Sequence, residues 1–139
     1  MHRAAPALLA FAFLAGCASN PVQRDLDQLA LYRAHAGDAV DSIQYLGRMS
    51  SWTALGPEAL AIWLSPTRAY LIDVDGPCGE LAYAQAIQLS AAAGRLNARF
   101  DTVSPLGTGI HPVPCRIREI RPLDTPALKA AQRAARASS

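Results

Sequence analysis

Lysine is almost missing from this chain, and aromatic residues, long apolar runs and catalytic motifs are scarce as well. A single lysine, Lys129, stands beside twelve arginines among 139 residues, and eleven acidic residues bring the formal charge to only +2. No field of one sign is strong enough to recruit nucleic acid, so a nucleic-acid partner is not expected. Beyond Ala15 no apolar stretch approaches the ~20 residues of a membrane-crossing helix. The serines Ser50, Ser65, Ser90 and Ser104 sit in no Gly-x-Ser-x-Gly elbow, the turn that exposes a hydrolase nucleophile. His35 and His111 have no Cys, His or carboxylate at ligand spacing, which argues against a metal site. Asp73-x-Asp75-Gly76 opens like a calcium loop, but the later ligands and the distant glutamate are lacking, and it reads as a strand end followed by a turn. Gly107-Thr108-Gly109 lacks the third glycine of a dinucleotide loop. These absences predict a protein that is not an enzyme and holds neither cofactor nor metal.

What the sequence does contain starts at its N-terminus. Arg3 precedes an apolar run, Ala4 to Ala15, that ends in Leu14-Ala15-Gly16-Cys17. This is the build of a bacterial secretory signal with a lipoprotein cleavage box: a basic start, a short apolar segment, small residues, and a thiol to carry a diacylglycerol. Residues 1–16 are read as the signal peptide, Cys17 as the lipidated first residue of the mature chain, and residues 17–20 as its tether. Ala18 stands where an aspartate commonly retains such proteins in the inner membrane, so the expected place is the outer membrane, facing the periplasm. Removing sixteen of 139 residues leaves 123, enough for one domain with a modest core.

Cysteine arithmetic supports that location. Of the three cysteines, a lipid on Cys17 would leave Cys78 and Cys115, 37 residues apart. An even pair in an oxidising compartment is expected to form a disulfide; free thiols are the alternative.

Along the mature chain, Pro21 opens a helix to about Ala36, with Val22, Leu26, Leu29 and Ala30 at helical spacing for its inner face. From Asp41 the period becomes two, with Ile43, Tyr45, Gly47 and Met49 on one side, and Trp52 to Leu55 either prolongs that strand or forms a second. Residues 59–64 are apolar on both faces, the mark of a central strand covered on both sides. Ser65-Pro66-Thr67 joins them to Arg68–Val74 as a hairpin. A short helical turn is expected over Glu80–Gln85 and a strand over Ala86–Ser90. Arg95–Val103 alternates, with Leu96, Ala98 and Phe100 inward, and Ser104–Pro114 reads as a loop. The last strand, Cys115 to about Pro122, contains a conflict: Ile117 and Ile120 fall on opposite faces unless a bulge near Arg118–Glu119 shifts the register or the strand ends early. Thr125 then reads as a helix cap, with Pro126 in the first turn, of a basic Ala-rich tail, residues 125–139. The expected fold is α+β: a small antiparallel sheet or partly closed barrel with an N-terminal helix and a short basic C-terminal helix, in one domain over residues 21–124.

Trp63, Tyr70-Leu71, Cys78, Phe100-Asp101-x-Val103 and Cys115-x-Ile117-x-x-Ile120-x-Pro122-x-Asp124 together resemble a family of small proteobacterial lipoproteins and secreted proteins catalogued as a domain of unknown function. The likeness covers about Ile43 to Asp124. It implies a compact envelope domain with paired cysteines, and supplies no activity, ligand or catalytic residue.

The remaining concentration of charge is basic. Arg116, Arg118 and Arg121 on the last strand could meet an anionic lipid or an acidic envelope protein, although such charges also keep an edge strand from pairing with another molecule. The functional expectation is a non-catalytic binding or structural module at the outer membrane. The alternative is a proteinaceous inhibitor of an envelope hydrolase, with Ser104–Pro114 as its inhibitory loop.

Overall fold

Pro21, whose missing amide hydrogen costs nothing in a first turn, opens helix α1 (Pro21–Ala34), and the Asn20 side chain caps it by accepting from the Val22 N–H at 3.1 Å. The structure is a computed structural model describing residues 20–109 and 111–138; the segment expected to be a signal peptide, residues 1–16, Cys17 and residues 18 and 19 of the expected tether lie outside the described residues. The helix is two residues shorter than expected, because Ala36 instead bridges to Leu123. Its inner face also differs from expectation. Val22 and Leu26 are exposed, whereas Tyr32 is 3% exposed and Leu29 and Leu31 are half-buried beside it. Only the last turns of α1 touch the rest of the domain, so the apolar stripe of its first turns meets solvent.

The expected strand from Asp41 survives as three residues, β1 (Ser42–Gln44), since Gly47 at φ +78° turns the chain away. A second strand, β2 (Ser51–Ala54), follows separately. It begins a meander with β3 (Ala59–Ser65) and β4 (Arg68–Val74). The β3–β4 hairpin is as its pattern requires: Ser65 pairs with Arg68 around Pro66-Thr67, and Leu60 lies opposite Ile72. Both faces of β3 are buried.

A single 3-10 turn over Leu81–Tyr83 leads to β5 (Ala86–Leu89), then β6 (Arg95–Asn97), β7 (Thr102–Leu106), β8 (Cys115–Pro122) and helix α2 (Thr125–Ala137). Six strands form one antiparallel sheet in the order β2-β3-β4-β8-β7-β5, curled into a half-barrel, while β1 and β6 pair as a second small sheet. One sheet face buries Leu60, Ile62, Ile72, Val74, Ile117 and Ile120 against Ile43 of β1 and Leu96 of β6. The other buries Ala59, Ala61, Ala69 and Leu71 beneath Tyr32 of α1 and Leu128 of α2. The fold is α+β with a two-sided core. Among the described residues no helix is long and apolar enough to cross a membrane.

Strand β8 is the spine. Along one side it pairs with β4; along the other it meets β7 through Thr102↔Arg116 and Val103↔Cys115, and the segment after α1, where the Val40 N–H donates to the Ile120 carbonyl at 2.8 Å. Its register conflict resolves as a bulge. Asp73 pairs with Glu119 but Val74 pairs with Ile117, so Arg118 is the extra residue. Both isoleucines consequently face the core, fully buried.

The run Arg95–Val103 is not one strand. Arg99 adopts φ +70°, Phe100 is 81% exposed and Asp101 is 9% exposed, the reverse of the expected orientation. The Asp101 carboxylate explains it. It accepts from the Asn97 N–H at 2.6 Å and the Ser90 hydroxyl at 2.8 Å, giving the chain hydrogen bonds that a continuing ladder would otherwise supply. The following loop is shorter than Ser104–Pro114, because β7 extends through Pro105 to Leu106. Ser90 and Gln85 both donate to even-numbered carbonyls of β7, at Thr102 and Leu106. Pro105 therefore turns its nitrogen toward β8, past the end of the β7–β8 ladder, where no donor is needed.

The basic tail is docked. Leu128 is fully buried, and the Lys129 ammonium lies 5.3 Å from the centre of the Trp63 ring and donates to the Pro66 carbonyl. The cap is Asp124 rather than Thr125: its carboxylate accepts from the Ala127 N–H at 3.1 Å. Substituting Asp124→Ala is expected to cost about 1 kcal/mol, read as a lower urea midpoint with an unchanged slope.

Candidate functional site

Asp73 places a carboxylate inside the fold. It extends from β4 toward the helix side of the sheet and is 1% exposed. Arg33, in the last turn of α1, grips it with both terminal nitrogens, at 2.5 and 3.4 Å. Arg118 reaches the same oxygen at 3.9 Å, brought there by the bulge that puts it out of the ladder. Next to it, Arg121 donates from Nε and one terminal nitrogen to Glu119 and from the other to the Gly37 carbonyl at 3.2 Å. A cleft of about 190 Å³ lies between Arg33 and Arg121, floored by Ala36. Arg116 is exposed and makes no ion pair among the described residues.

Of the three arginines read as an anion or partner contact, Arg118 and Arg121 are thus tied into ion pairs within the fold, and Arg116 alone projects freely. The sequence reading missed Arg33 and the part played by Asp73. Forty residues separate them, and no spacing rule connects a helix end to the interior of a distant strand.

A second concavity lies at the other end of the sheet. Edge strand β5 pairs with β7 on one side only. Since Ser90 bonds Thr102, even-numbered backbone groups here face β7, which turns those of Ile87 and Leu89 to the open edge. A groove of about 500 Å³ is lined by Ile87, Gln88 and Leu89 of β5 together with Tyr45, Leu46, Ala91 and Gly94. Leu46 is 72% exposed there, and β5 carries neither charge nor proline, the usual guards of an edge. Among the described residues no cluster of three His, Cys, Asp or Glu side chains could hold a metal ion.

The cysteine frame completes the picture. Cys78 and Cys115 are bonded, with S–S 1.98 Å and Cα atoms 6.1 Å apart. The bridge ties the first residues after β4 to the start of β8, beside the residues that carry the family likeness. The chain belongs to DUF6491, a family of unknown function. The match spans residues 1–139. No curated protein and no solved structure matches. In this DUF6491 chain, then, the geometry itself must supply the functional argument: an arginine cluster around a buried carboxylate, and an apolar groove along an unpaired strand.

Proposed function

We propose that this protein is a cell-envelope lipoprotein, held at the outer membrane through a lipid on Cys17, and that it acts there as a non-catalytic binding module for an extended segment of an envelope protein. The observation that carries the binding role is the β5 groove. An unguarded edge strand offers backbone donors and acceptors to an added strand, and Tyr45, Leu46 and Leu89 offer apolar contact for its alternate side chains. Support for the location comes from the cysteines: the Cys78–Cys115 bond suits an oxidising compartment and leaves Cys17, directly after Leu14-Ala15-Gly16, as the cysteine outside the bridge.

Location and binding are tested separately. Cells fed an alkyne-bearing fatty acid should label the wild-type protein and not Cys17→Ser; equal labelling of both would overturn the lipoprotein reading. For binding, Leu46→Asp places a charge in the groove at an exposed position, so the fold should persist while proteins that co-purify with the wild type are lost.

A second reading, inhibition of an envelope hydrolase, is favoured by one feature. The loop after Leu106 ends at the disulfide, which pins its base, and Val113 within it is 66% exposed. In the same co-purification, a partner lost with Val113→Asp and kept with Leu46→Asp would select the inhibitor.

A further inference from the structure

The first two turns of α1 carry an apolar stripe that nothing in the domain covers. At about 100° per residue, Val22 and Leu26 lie within roughly 40° of one another on the helix, and they are 64% and 54% exposed. The helix docks only by its far end, through Tyr32 and the Arg33–Asp73 pair. Four peptide links separate Cys17 from Pro21, a span of at most about 14 Å.

We infer that the first two turns of α1 are the foot on which the domain stands on the bilayer, with Val22 and Leu26 seated at the boundary between headgroups and acyl chains. This rests on the lipid attachment proposed for Cys17. Two side chains alone would bind a membrane weakly. A lipidated chain is already confined to the surface, however, so seating them costs no further loss of translational freedom, and the contact acts to select one orientation. The last turn of α1 is clamped to the sheet by the two hydrogen bonds between Arg33 and Asp73. A seated α1 therefore fixes the whole domain relative to the bilayer, and with it the direction in which the β5 groove faces.

The test uses the lipidated protein purified from membranes and placed in nanodiscs holding one copy each, which removes any contact between copies. Single cysteines introduced as Val22→Cys, Leu26→Cys, Tyr83→Cys or Phe100→Cys are labelled with an environment-sensitive fluorophore; Cys78 and Cys115 are oxidised and do not compete. Tyr83 and Phe100 serve as references because they are 80% and 81% exposed. Labels at 22 and 26 should be blue-shifted and about threefold less accessible to aqueous iodide than those at 83 and 100, as expected for side chains at an interface. Equal accessibility at all four positions, whether all aqueous or all shielded, overturns the inference. Mass spectrometry of the same preparation checks the acyl group on Cys17: its absence sinks the lipoprotein reading, whereas an acylated protein with an aqueous stripe sinks only the foot.

Discussion

Replacing Cys78 and Cys115 together by alanine is expected to lower the free energy of unfolding by about 4 kcal/mol, the loop-closure entropy of a 37-residue ring. For a domain of this size that corresponds to a melting temperature lower by about 15 °C. The loss should also be uneven. The ring encloses β5, β6 and β7, and the β7–β8 ladder that joins this half to the rest of the sheet consists of two residue pairs. On the other side of β8, the ladder with β4 runs over five. Without the bridge, the β5–β7 segment keeps a short ladder, the Asp101 hydrogen bonds and the side-chain packing of Val103, while β3, β4 and β8 keep the larger share of the core. Hydrogen exchange on the double variant should show amides of β5 and β7 losing protection well before those of β3 and β4. Uniform loss across all strands would mean that the sheet opens as one unit. The same variant bears on the proposed function, because β5 forms one wall of the groove: binding of the proposed envelope partner should fall even under conditions where the variant remains folded.

What the sequence revealed of this fold was whatever local chemistry decides. The β3–β4 hairpin was legible because a two-residue connection joins strands whose alternation agrees with one register. The conflict between Ile117 and Ile120 was legible as a conflict, since two buried isoleucines three apart cannot both face inward along a regular strand; Arg118 bulging out is its resolution. The pairing of Cys78 with Cys115, expected from the sequence, is present as a disulfide. Errors arose where a side chain took over the work of the backbone. Alternation placed Phe100 inward, but the Asp101 carboxylate binds the Asn97 amide and the Ser90 hydroxyl and turns the chain over. On α1, helical spacing grouped Val22, Leu26, Leu29 and Ala30 as an inner face, but Val22, Leu26 and Ala30 are exposed: spacing defines a stripe without saying whether anything covers it. The site was the least legible part. The groove brings together residues from 45 to 94, and the ion pair at Asp73 joins a helix end to a strand forty residues on.

That ion pair supplies the second large effect. Arg33→Ala is expected to destabilise the protein by about 2 kcal/mol. Breaking a fully buried ion pair costs roughly 3 to 5 kcal/mol because the remaining charge is left without compensation. Here Asp73 is the buried member at 1% and the Arg33 side chain is 45% exposed, so part of the interaction is screened by water, and Arg118 at 3.9 Å partly replaces the lost partner. Asp73→Leu should behave differently. It removes the charge that needs compensation, fits an apolar side chain of similar size beside Leu71 and Ala59, and releases Arg33 and Arg118 to solvent; its stability should lie within about 1 kcal/mol of wild type. Urea unfolding of the two single variants and the double variant closes a cycle, in which Arg33→Ala should cost almost nothing once Asp73 is Leu. A cost of 2 kcal/mol or more for Asp73→Leu would instead show that the pair itself stabilises the fold. With the expected asymmetry, the buried carboxylate is better explained by placement than by stability: it fixes the direction in which α1 leaves the sheet. Asp73→Leu should then leave the domain folded while loosening α1, seen as faster exchange of the amides in its last turn, the part of the helix that the arginine otherwise holds in place.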